Sequence, residues 1–299
     1  MPDVRDSPAP GVLVTVGDLV EDVVVWSGQG VRYATDNPSV IHRSRGGSAA
    51  NVAAFASGSP VPVRFIGCVG EDPVADMLIG ELTARGVDVR VQRRGRTGTI
   101  VVLVDEKGER TMYPDRAAAS MLDEVPREWL ESAGVLHVPS YCFAAEPTAT
   151  SVLRLIRYAG QAGVPVSVDA SSTAMIEEYG LDRYLDLVAA IRPAVFFANA
   201  REARLLDVTR PQFATSTTVV KNGARSTTVT PPGGPALTVP VPEARPAKDS
   251  TGAGDAFAAG FLAAWLHGAD LLGAADAGHA LARSVLFSPG ATTADAAKT

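Results

Sequence analysis

Cysteine is nearly missing from this chain of 299 residues, which carries only Cys68 and Cys142. That excludes a disulfide-stapled scaffold and a four-thiolate metal centre, and both thiols read as core side chains. Histidine is almost as scarce: of the four, His42, His137, His267 and His279, no two stand at the helical spacing of a zinc site. No apolar run approaches the ~18 residues of a membrane span, and Met1-Pro2-Asp3-Val4-Arg5-Asp6 lacks a signal-peptide pattern, so a cytoplasmic location is expected. Positive charge is not in excess either. With 27 Lys and Arg against 33 Asp and Glu, the net charge of −6 argues against a nucleic-acid or anionic-membrane partner. No Gly-x-x-x-x-Gly-Lys-Ser/Thr run occurs, so a nucleotide site here would not be a P-loop. Internal repeats and low-complexity stretches are missing too.

What remains is a chain with 46% hydrophobic and 20% charged residues, enough for one large core or two modest ones. Short apolar runs at Val63–Phe65, Val135–Val138, Val164–Val168, Val195–Ala198 and Thr217–Val220 read as buried strands. Between them lie segments with helical spacing, such as residues 151–162, with Val152, Leu155, Ile156 and Ala159. That alternation predicts an α/β fold with a parallel sheet covered on both faces. Residues 99–113 break the pattern. Two β-rich arms flank Asp105-Glu106-Lys107-Gly108, a hairpin signature. With the valine-rich segment from Val23 to Arg43, the hairpin could build a small separate sheet.

The most informative segment is Lys248-Asp249-Ser250-Thr251-Gly252-Ala253-Gly254-Asp255, which opens directly into an apolar helical run. Phe257, Phe261 and Trp265 recur at four-residue steps, and Ala256, Ala259, Gly260 and Ala263 would let that helix pack closely on a neighbour. The glycines leave backbone N–H groups uncovered at a helix N-terminus, where the macrodipole favours an anion. A carboxylate in that first turn suits phosphoryl transfer, because it can take the proton of an acceptor hydroxyl. The bland alternative is a Gly-rich helix start with an acidic first turn. A dinucleotide fingerprint is weak here, since Phe257 stands where the third glycine belongs.

A second glycine pair, Gly46-Gly47, precedes Ser48-Ala49-Ala50-Asn51 and a helical stretch through Ala56. Adjacent glycines let a backbone approach a ligand, and Asn51 offers donor and acceptor to sugar hydroxyls. A Gly-Gly turn with Ser48 as N-cap is the alternative. Upstream, Val12–Val16 ends in Gly17-Asp18. Ligands of parallel α/β folds sit beyond the carboxyl ends of strands, which places Asp18 and Asp22 to meet hydroxyl groups unless they are solvated loop acids.

In this order the three segments resemble the ribokinase-like (PfkB) family of carbohydrate kinases, over nearly the whole chain. The resemblance implies a three-layer sandwich with a mostly parallel central sheet and a small β-sheet lid. The core would comprise residues 1–22, 46–97 and 116–299, and the lid 23–45 and 98–115. It implies transfer of the γ-phosphoryl of ATP to a hydroxymethyl group of a small carbohydrate, with Mg2+, and in some relatives a monovalent cation such as K+ near Asp249. Asp255 matches the family's base and Gly252, Ala253 and Gly254 its anion hole. Asp22, Gly46, Gly47 and Asn51 match its sugar contacts. Asn199-Ala200-Arg201-Glu202 matches an Asn-x-x-Glu in which Glu202 helps place the magnesium–phosphate cluster.

Lys221-Asn222-Gly223 resembles the loop along the nucleotide, and Asp249 and Thr251 belong to the same signature as Asp255. Lys221 could equally be a surface lysine at a strand end. His279 falls on the late helix that the family places near adenine, with a plain helix-surface histidine as the alternative. Arg116, leaving the hairpin after Tyr113-Pro114-Asp115, could contact an acidic sugar or pair with Asp115. Family lids often form dimer surfaces, so a homodimer is a further expectation. Val20 stands where ribokinase itself has a ribose-contacting asparagine, and Ser226 replaces the second glycine of the nucleotide loop. Two other readings stand beside the sugar kinase. One is a nucleoside kinase, stacking its base on Trp26, Tyr33 or Tyr113; the other is a non-catalytic sugar-binding regulator.

Overall fold

A computed structural model describes residues 11–27, 30–106, 110–242 and 251–286. The chain opens with β1 (Val12–Val16), β2 (Val20–Trp26), β3 (Val40–Gly46), α1 (Ser48–Ala56), β4 (Val63–Val69), α2 (Pro73–Ala84) and β5 (Asp88–Arg93). It continues through β6 (Thr99–Val104), β7 (Arg110–Asp115), β8 (Ala133–Pro139), α3 (Thr148–Gln161), β9 (Val166–Asp169), α4 (Thr173–Tyr179) and α5 (Leu181–Ile191). Last come β10 (Val195–Asn199), α6 (Ala200–Leu206), β11 (Thr217–Lys221), β12 (Thr227–Thr230), β13 (Leu237–Val239), α7 (Ala253–Leu266) and α8 (Leu271–Val285).

Nine strands form the central sheet in the order β13-β12-β11-β10-β9-β8-β1-β4-β5. From β11 to β5 every pairing is parallel, and only β12 and β13 run antiparallel at one edge. The strands are apolar on both faces because helices cover both. In β10, Phe197 joins the layer of α1, α2, α7 and α8, while its neighbour Phe196 points to the layer of α3 to α6. This is the three-layer α/β architecture with a mostly parallel central sheet that the resemblance implies. Each predicted strand is present. The one expected at Val164–Val168 starts two residues later, after Pro165, which has no N–H for a ladder bond.

α7 is buried all round from Ala256 to Ala263, and its small residues serve contact with α8. A Cβ on Gly260 would lie 2.6 Å from the Ala277 carbonyl oxygen, and one on Gly278 2.9 Å from that of Phe257. Those two glycines therefore set how closely the helices cross. Phe257 and Phe261 stack below and meet Phe197 edge-on, with Trp265 only part-buried.

The hairpin 99–113 and the valine-rich segment do combine. They give a separate four-stranded sheet in the order β3-β2-β6-β7. Asp22, Val24 and Trp26 share a face with Ile100, Val102 and Val104, and this face clusters with Val20 of the same strand and with Ala119. The opposite face carries Val23, Val25, Val101 and Leu103, with Ile41 and Tyr113 more than half exposed. Both cysteines are buried free thiols. Among the described residues no helix is long and apolar enough to cross a membrane.

Candidate active site

The carboxyl ends of five adjacent parallel strands supply the site. Asp18 follows β1, Ser140 and Tyr141 follow β8, Asp169 ends β9, Asn199 ends β10 and Lys221 ends β11. The register sets Asn199 directly beside Lys221. α7 brings its N-terminus to this line. Its first intrahelical bond runs from the Ala256 N–H to the Gly252 carbonyl at 2.8 Å, so the helix leaves the amides of 253 to 255 unused. Gly252 caps the helix at φ 74°, a left-handed conformation that glycine adopts without strain.

Asp255 lies in this first turn and is part-buried. Its Oδ1 accepts from the Ser48 hydroxyl at 2.6 Å and its Oδ2 from the Asn51 amide at 2.8 Å. Burial pushes the carboxyl up to about 6, against those two bonds; Asp169 adds to the rise and Lys221 opposes it. Such a group is ionised at neutral pH yet basic enough to accept a proton, the balance a general base needs.

Asp22 reaches the same pocket from the small sheet. Burial raises it to about 6 as well, with the Arg45 charge opposing and Asp255 adding. Its Oδ1 is buried with no hydrogen-bond partner among the described residues. The glycine pair makes this geometry possible. A Cβ on Gly46 would fall 2.1 Å from that same Asp22 Oδ1, and one on Gly47 2.2 Å from the Asp18 carbonyl oxygen. The pair thus admits the protein's own carboxylate and backbone.

Several expected residues take other roles than those read from sequence. Ser48 is no cap: Gly47 holds the N-cap position of α1 without a side-chain bond, and Ser48 serves Asp255 instead. Asn51 is fully engaged, giving its amide to Asp255 and accepting from the guanidinium of buried Arg45, which also binds Glu81 at 3.3 Å. Lys221 is not a surface lysine. Its side chain is 15% exposed and its Nζ donates to Asp169 Oδ2 at 2.7 Å. Burial alone would lower the ammonium; the Asp169 charge and bond outweigh it and hold the group above its ordinary value. The same ammonium lies 3.4 Å from where a Cβ on Gly254 would stand, directly beneath the amide turn.

Asn199 and Glu202 form a reciprocal capping box on α6. The Asn199 N–H and side-chain amide donate to the two Glu202 oxygens at 2.7 and 2.6 Å. Burial, together with nearby Asp169, raises Glu202 well above the usual carboxylate range. Arg116 ignores Asp115, which pairs with Arg96. It donates through Nε to Asp18 Oδ2 at 2.7 Å and lies over the Tyr141 ring at 4.5 Å. His279 is no surface histidine either, being 4% exposed with Nε2 2.8 Å from the Thr227 hydroxyl and its ring against Phe257. Gly223 sits in the exposed turn after β11 at φ 62°, and Thr251 immediately precedes Gly252. Asp249 lies outside the described residues.

Four contributors escaped the sequence reading: Arg45, Ser48 in its true role, Tyr141 and Asp169. Asp169 had a usable signal, since it ends an expected parallel strand, where such folds place ligands. Arg45 and Tyr141 had none, because only tertiary packing turns them to the pocket.

The helix start with its unused amides and the buried carboxylate of Asp255 thus stand together at the carboxyl edge of the parallel sheet. Residues 13–298 match the pfkB family carbohydrate kinases, and the chain belongs to that family. It is 33% identical over 243 residues to an ATP-dependent ribose-1-phosphate kinase of Halopiger xanaduensis, covering 77% of this chain and 76% of that one. It is 30% identical over 273 residues to a fructokinase of Klebsiella pneumoniae, covering 85% and 84%. The fold of adenosine kinase from Sinorhizobium meliloti superposes with a TM-score of 0.84 over 96% of this chain and 97% of that one, at 21% identity. The protein is thus a sugar or nucleoside kinase, a phosphotransferase with an alcohol acceptor, and kinases of this family use ATP.

Proposed function

We propose that the protein transfers the γ-phosphoryl of ATP to a hydroxymethyl group of a small carbohydrate, with Asp255 as base. The observation that carries this reading is the meeting of Asp255 with the amides of 253 to 255 that α7 leaves unused and with the nearby buried carboxylate of Asp22. The acceptor enters between the small sheet and the core, its ring hydroxyls bound by Asp22 and Asp18 beside the Gly46–Gly47 turn. Its hydroxymethyl group replaces Ser48 or Asn51 at Asp255 and gives up its proton there. The amides of 253 to 255 and the Lys221 ammonium then meet the charge on the migrating group.

A helix terminus supplies up to about 2 kcal/mol, far short of the roughly 8–23 kcal/mol typical of enzymes. Lys221 and exclusion of water by closure of the small sheet as a lid supply more. Asn199, Lys221, Gly223 and Thr251 border the nucleotide, with His279 behind Thr227 as support for that side.

The residues also fit Mg2+. Both Glu202 oxygens are taken by the capping box and Asp169 is paired with Lys221. Among the described residues no cluster of three His, Cys, Asp or Glu side chains could hold a metal. Mg2+ keeps several waters and prefers substrate phosphates, so Glu202 would hold it through water. When bound it would supply positive charge to the phosphates of the nucleotide.

A sugar is favoured over a nucleoside by the small sheet itself. Of its three candidate stacking rings, Tyr113 lies on the face away from Asp22 and Tyr33 is 93% exposed, leaving only Trp26 on the Asp22 side. ATP-dependent phosphorylation of a panel of hexoses, pentoses, sugar acids, sugar phosphates and adenosine tests this, with 31P NMR of the products. Transfer to a sugar hydroxymethyl group is expected; transfer to adenosine alone would establish the nucleoside reading, and no transfer would refute both.

The outer face of the small sheet, with Ile41 and Tyr113 exposed among valines, supports pairing of two lids. Sedimentation at micromolar concentration is expected to give twice the chain mass; the mass of one chain would remove the dimer.

A further inference from the structure

One line of polar contacts runs from α2 to Asp255. On α2 the Glu81 carboxylate binds Arg45 Nε at 3.3 Å, and Arg85, one turn further on, holds the same carboxylate at 3.4 Å. Arg45 lies near the end of β3 with its side chain 1% exposed, and its Nη1 donates to Asn51 Oδ1. Asn51, on α1, donates through Nδ2 to Asp255 Oδ2 at 2.8 Å. Ser48 stands one turn before Asn51 on the same helix face and gives its hydroxyl to Asp255 Oδ1 at 2.6 Å. α1 thus grips both oxygens of the carboxylate.

The two ends of an asparagine amide are alike in shape, so its partners decide which way it points. A guanidinium only donates, which turns the Asn51 oxygen to Arg45 and the NH2 to Asp255. Reversed, the amide would set donor against donor at Arg45 and acceptor against acceptor at Asp255. We infer, resting on the kinase reading above, that Arg45 is a positioning residue of the reaction: it locks the Asn51 amide as a donor to Asp255 Oδ2 and leaves Oδ1 as the oxygen that receives the acceptor's proton. Ser48 can yield Oδ1 by turning its hydroxyl about one bond, whereas Asn51 leaves Oδ2 only by breaking with Arg45 as well. The acceptor hydroxyl therefore takes the place of Ser48. Arginine suits such a lock because it stays charged at any working pH, even where burial lowers it against the pull of Glu81 and Asp255.

The test is the pH dependence of kcat/KM for the fastest sugar of the panel above, with saturating MgATP, in the wild type, Arg45→Met and Arg45→Lys. The titratable and charged groups around Asp255 are Asp22 on β2, Tyr141 after β8, Asp169 on β9, Lys221 on β11 and Arg45 on β3, with Glu81 and Arg85 behind it on α2. Arg45→Met removes a positive charge and frees the amide to turn its oxygen to the carboxylate, and both changes favour the protonated base. The acid limb is expected to move up by about one pH unit. At neutral pH kcat is expected to fall by about 10- to 100-fold, with KM for MgATP within a few-fold of the wild type. Arg45→Lys keeps a charge and a donor and is expected to recover most of both. A folded Arg45→Met whose acid limb has not moved would overturn the inference, because a merely structural role lowers activity without displacing the limb. Equal losses in Arg45→Lys and Arg45→Met would overturn it too. Should Arg45→Met fail to melt cooperatively, Glu81→Gln decides: the guanidinium charge then stands uncompensated and the limb should move down, and a limb unmoved or raised would overturn the inference. No turnover of any acceptor by the wild type would instead overturn the kinase reading itself.

Discussion

Replacing Asp255 with asparagine is expected to lower kcat by about 10²–10⁴-fold while nucleotide affinity stays within a few-fold. It is also expected to raise the melting temperature at neutral pH. The two effects share one cause. Burial holds the carboxyl at about 6 where 3.8 is ordinary. A folded-state value raised in this way contributes stability that is fully present below pH ~4 and is lost as pH rises through ~6. At pH 7 the ionised group therefore costs the fold at most about 3 kcal/mol, less to the extent that its open side meets solvent. Asparagine keeps an acceptor and a donor for Ser48 and Asn51 but carries no charge. An enzyme that tolerates such a cost at its reacting centre shows the usual conflict between stability and activity. Assays of turnover, nucleotide binding and thermal melting on one preparation check the prediction together. A variant that is both active and no more stable would contradict it on both counts.

Lys221→Met is expected to be more damaging still, because it acts on three carboxylates. Asp169 loses the ammonium 2.7 Å away, and Glu202 and Asp255 lose a nearby opposing charge. Breaking a buried pair from one side costs about 3–5 kcal/mol, since the remaining charge is left without compensation. The melting temperature should therefore fall. Loss of the cation beneath the amide turn should lower kcat by about 10²–10³-fold, the scale of losing one donor to a transition-state anion. The pH dependence has a definite sign. Lys221 holds Asp255 down, so its removal raises the base further and keeps it protonated to higher pH. The acid limb of the residual activity should move upward. A downward shift, or none, would show that the ammonium does not face the base.

These effects hang on contacts of unequal visibility in the sequence. The sheet was legible because parallel strands buried on both faces must read as apolar runs, and Phe196 and Phe197 serve opposite layers for that reason. The Gly-Ala-Gly-Asp start is by itself a common capping arrangement, and it was legible through its order with the Gly46-Gly47 and Asn199–Glu202 segments. Gly46 and Gly47 were legible as a close approach, but what approaches is Asp22 and the Asp18 backbone, contacts made between segments far apart in the chain. Charge pairing was the least legible. Asp115 looked like the natural partner of Arg116, yet Arg96 takes it, and Arg116 turns inward to Asp18. His279 could have been a plain helix-surface residue, but its ring faces Thr227 of β12. Lys221 was legible only through the resemblance of Lys221-Asn222-Gly223 to a nucleotide loop, because a lysine at a strand end is equally a surface residue.

The dependence of kcat/KM on pH between 5 and 8, measured for the wild type with saturating MgATP, bears most directly on the chemistry. A buried aspartate beside the helix start, holding its proton to about 6, predicts activity that falls away below that point and levels off above it. A profile flat across the whole range would mean that no carboxylate near the amide turn takes the proton, and the assignment of the base would fail.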